Sequence, residues 1–307
     1  AEAARMYATA DGASIPWTPI TDQQISSTSA IRLHSILRAV TGNLDVVGGD
    51  TLGGFNPSYI PESELGLHEV LSPEQKAKQM GYDDHPVYTY RVAEMLKEPT
   101  EKVWGFPYAD IVMGCHMANP TNVFRAMKTE QPYPIKAFIV LGNNALLSYP
   151  NQHQILEAMM NQELIVAHEL FMTPTAMLAD YILPGDVFTE RNHVADSWSW
   201  TTRLTLSQKV VEPPEQASST YQFWHDLAVR FGFGNEFPWQ SIEEVLDHRL
   251  ARSGRTFREF EEQGFMEMPI PEYRKYRKTG FATPSGKVEL YSSILEELGF
   301  DPLPYYR

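Results

Sequence analysis

The sequence predicts an α/β fold: Rossmann-like βαβ layers around a parallel sheet with helices on both faces, a long irregular insertion and a helical C-terminal part. Three short apolar runs carry that expectation. Ala137 to Leu141, Leu164 to Ala167 and Tyr181 to Leu183 are each followed by a polar turn, and segments with a helical pattern separate them. Short continuous apolar runs alternating with helices suit a sheet buried on both faces. The turns are Gly142-Asn143-Asn144, His168-Glu169 and Pro184-Gly185-Asp186. In parallel α/β sheets, ligands settle outside the carboxyl ends of the strands, where turns and helix N-termini offer backbone N–H groups. Three such ends with small or polar residues have the form of a site for a large anionic cofactor.

The totals narrow the class. A length of 307 residues suffices for one large or two ordinary domains, and 43% apolar residues suffice for a packed core. No apolar run approaches the roughly 20 residues that cross a bilayer, so direct membrane insertion is not expected. With 39 acidic against 25 basic residues, the net charge of −14 opposes nonspecific binding to nucleic acid. An anionic ligand remains compatible, because turns bind phosphate without a basic surface. Cys115 is the single cysteine, which excludes an internal disulfide and a cysteine-held cluster. The chain opens on Ala1-Glu2-Ala3 inside a helical pattern, with neither an initiator Met nor a leader, and is expected to be a fragment of a longer one. A cytoplasmic or a periplasmic location suits it equally.

Taken in order, the elements fall into four parts. Residues 1–57 read as the end of one cofactor-binding α/β domain: a helix over Glu2 to Ala10, a strand over Ala13 to Trp17, and a helix after Ser26-Ser27-Thr28-Ser29 that stops at Gly42. Residues 58–130 read as the irregular insertion, with helices over Pro73 to Met80, Tyr88 to Lys97 and Asn122 to Met127. Residues 131–215 form the core dinucleotide-binding segment and end in an alternating strand from Trp198 to Leu206. Residues 216–307 hold helices Tyr221 to Phe231, Ile242 to Ser253 and Phe257 to Gly264, then a connector with a hairpin-like Thr283 to Tyr291.

Several motifs in this order resemble one family. A Gly-x-Asn turn at Gly142, then Glu169-x-Phe171-Met172-Thr173-x-Thr175-Ala176, then Ala179-Asp180-x-Ile182-Leu183-Pro184, then Glu190-x-Asn192, is similar to the molybdopterin oxidoreductase (dimethyl sulfoxide reductase) family. The likeness runs from about Ala3 to Tyr291. It implies a catalytic subunit with molybdenum or tungsten on two pyranopterin guanine dinucleotides. It also implies a 4Fe-4S cluster and a metal ligand upstream, a C-terminal barrel downstream, a small-molecule substrate and a possible electron-transfer subunit. One feature departs from the pattern: Thr18-Pro19-Ile20 stands where the family usually has Gly-x-Gly, and a side chain there keeps the backbone farther from a pyrophosphate. The stretch Ile15 to Gln24 resembles the acetylene hydratase branch, which uses tungsten.

The resemblance and the strand ends together nominate cofactor-binding residues: Trp17, Gln23, Asn43, Gly142, Asn143, Asn144, His168, Glu169, Thr173, Asp186, Glu190 and Asn192. Each has a plainer reading. Gly142 to Asn144 also suits an ordinary Asx turn, and Glu169, Thr173 and Thr175 suit helix caps. His168 lacks a second ligand at metal-site spacing. Asp186 with Glu190 is a conceivable acid/base pair, although acids after a strand are usually solvated. Trp17, Trp198 and Trp200 suit a core as well as a channel wall. Cys115 reads as a small buried hydrophobe before a nucleophile.

The expected function is therefore part of a molybdenum or tungsten enzyme, an oxidoreductase by family default, with the catalytic residues and metal ligand outside this chain. The isolated chain is expected to be inactive. A non-redox tungsten hydratase is the alternative within the family, and a cofactor-free α/β binding or assembly module is the alternative outside it. An unrelated nucleotide enzyme is disfavoured, because no Gly-x-Gly-x-x-Gly or Walker loop follows a strand.

Overall fold

The computed structural model describes residues 1–16, 18–52, 59–195, 203–267 and 272–305. They divide into two compact units, Ala1–Phe55 with Pro61–Met117 and Pro269–Arg307, and Asn56–Ile60 with Ala118–Met268.

The second unit contains the predicted sheet. Strands β1 (Ala137–Leu141), β2 (Leu164–Glu169) and β3 (Tyr181–Pro184) are parallel and lie in the order β1-β2-β3. Their register puts Phe138 beside Ile165 and Val140 beside Ala167 on one face. Against that face the helices Pro120–Thr129 and Gln152–Met160 bury Phe124, Met127, Ile155, Ala158 and Met159. Each large apolar side chain buried there contributes about 1.5–3 kcal/mol. On the other face Leu141 pairs with His168 and His168 with Leu183. The ring of Phe223, from the helix Thr220–Arg230, lies 5.8 Å from that of His168. Helices thus approach both faces, as the apolar runs required.

Polar caps fix where the helices begin. Asn119, Asn151, Ser219 and Ser241 each accept a backbone N–H of the first turn through the side chain, so Ser219 rather than Ser218 is the cap of its helix.

A second sheet was not anticipated as such. Strands β4 (His193–Ala195), β5 (Arg203–Ser207) and β6 (Phe265–Glu267) are antiparallel, with β5 central. Val194, Leu204 and Met266 turn inward onto Leu246, Leu250, Phe257 and Phe260. The expected strand from Trp198 to Leu206 is described only from Arg203; Trp198 and Trp200 lie outside the described residues.

The first unit corrects four expectations. No strand forms over residues 13–16, and Trp17 lies outside the described residues. Side chains replace a neighbouring strand there: Ala13 N donates to Asn43 Oδ1 at 3.1 Å, Ile15 N donates to Asp50 at 3.0 Å, and Ile15 O accepts from Arg38 at 2.6 Å. The expected Tyr88–Lys97 helix instead spans Tyr90–Trp104, straight through Pro99. An interior proline costs about 3 kcal/mol. The Thr89 cap and the burial of Tyr90, Val92, Ala93 and Thr100 offset it. The expected Pro73–Met80 helix is confined to Pro73–Lys76, and Thr283–Tyr291 contains turns and no strand ladder.

Candidate functional site

The carboxyl ends of β1, β2 and β3 form one rim. Gly142 N donates to His168 O and Gly185 N to Glu169 O, both at 3.1 Å, so the ladders extend one residue past the strands and bring the three turns level.

At the first turn Gly142 has φ of +54°, and beyond its own chain neighbours no atom of a described residue lies within 4 Å of where a Cβ would stand. The chain reverses there and leaves open space above it. Asn143 follows. Its Oδ1 is buried and accepts no hydrogen bond from a described residue. Such an atom costs stability unless a partner arrives. Asn144 is committed inside the protein: its Oδ1 accepts from Thr175 Oγ1 at 2.8 Å, and Thr175 Oγ1 accepts from Leu146 N at 2.9 Å. Thr175 is fully buried and ties the first turn to the second. Sequence reasoning took it for a helix cap.

At the end of β2, where His168 and Glu169 are strand residues and not the expected turn, the buried His168 donates through Nε2 to Ser218 O at 2.8 Å, with Ser218 Oγ at 3.3 Å. A Cβ on Gly185 would stand 3.1 Å from His168 Cε1, so glycine permits the ring to lie against that strand end. Glu169 accepts from Leu170 N at 3.0 Å, and Thr173 Oγ1 accepts from Ala176 N at 3.1 Å. Ser218 itself forms a parallel bridge with Gly185 and closes the third turn. That role left no trace in the sequence beyond a run of small residues.

Asp186 is buried and bonded to Arg191 Nη1 at 2.5 Å, and Glu190 accepts from Val187 N at 2.9 Å. Each carboxylate has its own partner, which disfavours a shared acid/base pair. Asn192 bridges Glu243 at 2.8 Å and Lys209 N at 3.0 Å.

The remaining nominees lie in the other unit. Asn43 is buried and fully used: it donates to Tyr7 O at 2.9 Å and accepts from Ala13 N at 3.1 Å. Gln23 is exposed, in the bend before the helix Ser27–Thr41. Cys115 has no exposed surface, and burial pushes its thiol up to about 12, so it behaves as a buried hydrophobe. Among the described residues no group of three or more His, Cys, Asp or Glu is arranged to hold a metal ion.

A parallel sheet whose strand ends gather into one polar rim, with an open reversal and an unfilled acceptor, has the arrangement at which α/β proteins commonly bind ligands. The family model of the molybdopterin oxidoreductases matches residues 51–230, and the chain belongs to that family. It is 46% identical over 305 residues to acetylene hydratase of Syntrophotalea acetylenica, covering 99% of this chain and 42% of that protein. It is 28% identical over 202 residues to the thiosulfate reductase molybdopterin-containing subunit of Salmonella typhimurium, covering 58% of this chain and 27% of that one. The solved acetylene hydratase from Pelobacter acetylenicus superposes with a TM-score of 0.92 and 46% identity, over 100% of this chain and 42% of that structure. The chain thus spans less than half the length of these relatives.

The family implies a molybdopterin cofactor with molybdenum or tungsten. The rim suits its organic part: Gly142 leaves room for it, and Asn143 Oδ1 offers an acceptor to a heterocyclic N–H.

Proposed function

We propose that this chain holds a guanine dinucleotide of a molybdopterin cofactor at the carboxyl ends of β1, β2 and β3, within an enzyme that hydrates acetylene. The observation that carries the binding is Asn143: a buried, unfilled Oδ1 beside the open turn at Gly142. An amide oxygen pairs well with the N–H edge of guanine, and pairing there removes the cost of leaving it unmade.

His168, Thr175 and Ser218 act on position. Their bonds hold the three turns level, so that Asn143 and the backbone of the rim keep their geometry before the ligand arrives. Asp186 and Glu190 are occupied by Arg191 and Val187, so they remain fixed while the ligand binds. When bound, the cofactor supplies the metal that polarises water or substrate. An iron–sulfur cluster of the 4Fe-4S type, a metal ligand and any electron-transfer subunit belong to parts of the enzyme outside these residues.

Hydration is favoured over oxygen-atom or hydride chemistry by the 46% identity to an acetylene hydratase along 99% of the chain. The relatives named as reductases match less of it and at lower identity. The deciding experiment supplies acetylene to the native protein with no external electron donor or acceptor. Acetaldehyde formation at a steady rate supports the hydratase reading. Turnover of thiosulfate or dimethyl sulfoxide with a reductant, and none of acetylene, overturns it.

A further inference from the structure

A cavity of about 450 Å³ lies between the helix Tyr90–Trp104 and the turns of residues 279–286. That volume falls in the range of small-molecule sites. No residue of the strand-end rim lines it.

The turns make a firm wall. Phe281 N donates to Gly286 O at 3.0 Å, and Gly286 N donates to Thr283 O at 2.9 Å. Gly280 stands at φ of +75°, and a Cβ there would meet Gly286 O at 3.0 Å, so glycine lets the loop close on itself. The ring of Phe281 stacks on that of Tyr276, with centroids 5.0 Å apart. Ser285 Oγ accepts from Lys287 N at 3.3 Å, and Thr283 gives its hydroxyl proton to Lys287 O at 2.7 Å. Among the described residues the Ser285 proton then has only Thr283 Oγ1, at 3.5 Å, to turn to. It is a spare donor.

The helix wall carries the charges. Glu98 and Lys102 stand four residues apart, hence on one face, and both line the cavity. Such a pair often bonds to itself, yet neither side chain has an ion pair or hydrogen bond among the described residues. Glu94, one turn earlier, is by contrast paired with Lys76. Pro99 adds a third group. It has no N–H to give the carbonyl of Met95, four residues before it, and the Thr100 hydroxyl goes to Leu96 O and Lys97 O instead. Met95 and Pro99 both line the cavity, so an acceptor without its usual donor belongs to the wall.

One anion, one cation, an open carbonyl near the anion and a spare hydroxyl across from them suit a ligand that carries both charges itself. A ligand with a single charge would leave Glu98 or Lys102 unanswered. We propose that this cavity binds a free α-amino acid with an apolar side chain. Its ammonium group donates to Glu98 and the Met95 carbonyl, its carboxylate accepts from Lys102 and the Ser285 hydroxyl, and its side chain packs on Phe281. A chain that fails to bind GDP is still expected to bind the amino acid.

The test is calorimetric titration of the full 307-residue chain with L-leucine, beside isocaproate, which lacks the ammonium group, and isoamylamine, which lacks the carboxylate. Leucine is expected to bind about tenfold more tightly than either. Glu98→Gln and Lys102→Met should each weaken it about tenfold, whereas Glu101→Gln, which does not line the cavity, should leave it unchanged. Pro99→Ala separates binding from folding. It returns an N–H to the Met95 carbonyl, so it should raise the melting temperature while weakening leucine about threefold. Three results overturn the proposal. They are leucine binding no tighter than both truncated analogues, leucine affinity that survives both Glu98→Gln and Lys102→Met, and a Pro99→Ala chain that is more stable yet binds leucine as well as before.

Discussion

Lys275 Nζ meets the carboxylate of Asp45 at 3.0 Å across 230 positions of sequence, and Asp45 is fully buried. The same carboxylate accepts from Leu52 N and Lys275 N, both at 3.1 Å. It stands at φ of +57°, inside the Thr41–Asp50 segment that follows the helix Ser27–Thr41. One side chain therefore fastens a late stretch of the chain to an early one.

Removing it takes the acceptor from two amides and the counter-charge from the ammonium group, which keeps only Leu52 O at 2.8 Å. Asp45→Ala is expected to destabilise this unit by about 3 kcal/mol, the usual cost of breaking a buried pair from one side. Thermal unfolding of the variant beside Lys275→Met checks it. The lysine change should cost less, because Asp45 then keeps its amide donors.

Asn143 should behave in the opposite way. Its Oδ1 makes no bond within the described protein, so Asn143→Ala is expected to leave the melting temperature unchanged or slightly raised. The same change should weaken GDP binding about tenfold, or about 1.4 kcal/mol. Calorimetry on both proteins measures the two effects separately.

His116 predicts a pH dependence. Burial, reinforced by the nearby His68, lowers its pKa below the usual imidazole value; Glu69 and the Ala109 backbone raise it in part, and Lys76 lowers it further. Its ring lies 5.2 Å from that of His68 and 5.5 Å from that of Tyr90, and His68 faces Asp110 at 3.4 Å. Because the folded pKa lies below the unfolded one, the unfolded chain binds the proton more readily. Stability is therefore full above the ordinary imidazole pKa and falls as the pH drops through and below it. His116→Phe keeps the ring and should flatten the slope of melting temperature against pH below about 6.5.

Cys115 gives a labelling prediction. With no exposed surface and a thiol held near 12 by burial, it should resist iodoacetamide at pH 8 in the native chain and react fully in denaturant. As the sole cysteine, it makes intact mass an unambiguous readout.

Much of the sheet was legible because its signal is local. Ala137–Leu141 and residues 164–167 announce themselves as apolar runs; the second strand then continues through His168 and Glu169, which read as a polar turn because their strand pairing with β1 and β3 is not local. What escaped depends on distant partners. The stretch 13–16 has strand-like residues, but Asn43, Arg38 and Asp50 occupy its backbone groups, and nothing near Ile15 encodes that. Pro99 reads as a stop, yet tertiary burial carries the helix past it to Trp104. β6 is three residues long, too short to show an alternation, and forms because β5 offers an edge. At the rim, the sequence named Gly142 to Asn144 as a unit. Only coordinates separate Asn143, whose acceptor is unfilled, from Asn144, which Thr175 occupies.

The central claim concerns where the nucleotide sits, and hydrogen exchange with and without GDP tests it most directly. The account predicts slower exchange at the amides of residues 142–144, 168–173 and 185–186, three separate stretches that only the rim brings together. Unchanged exchange in all three at saturating GDP, or protection confined to other parts of the chain, would contradict it.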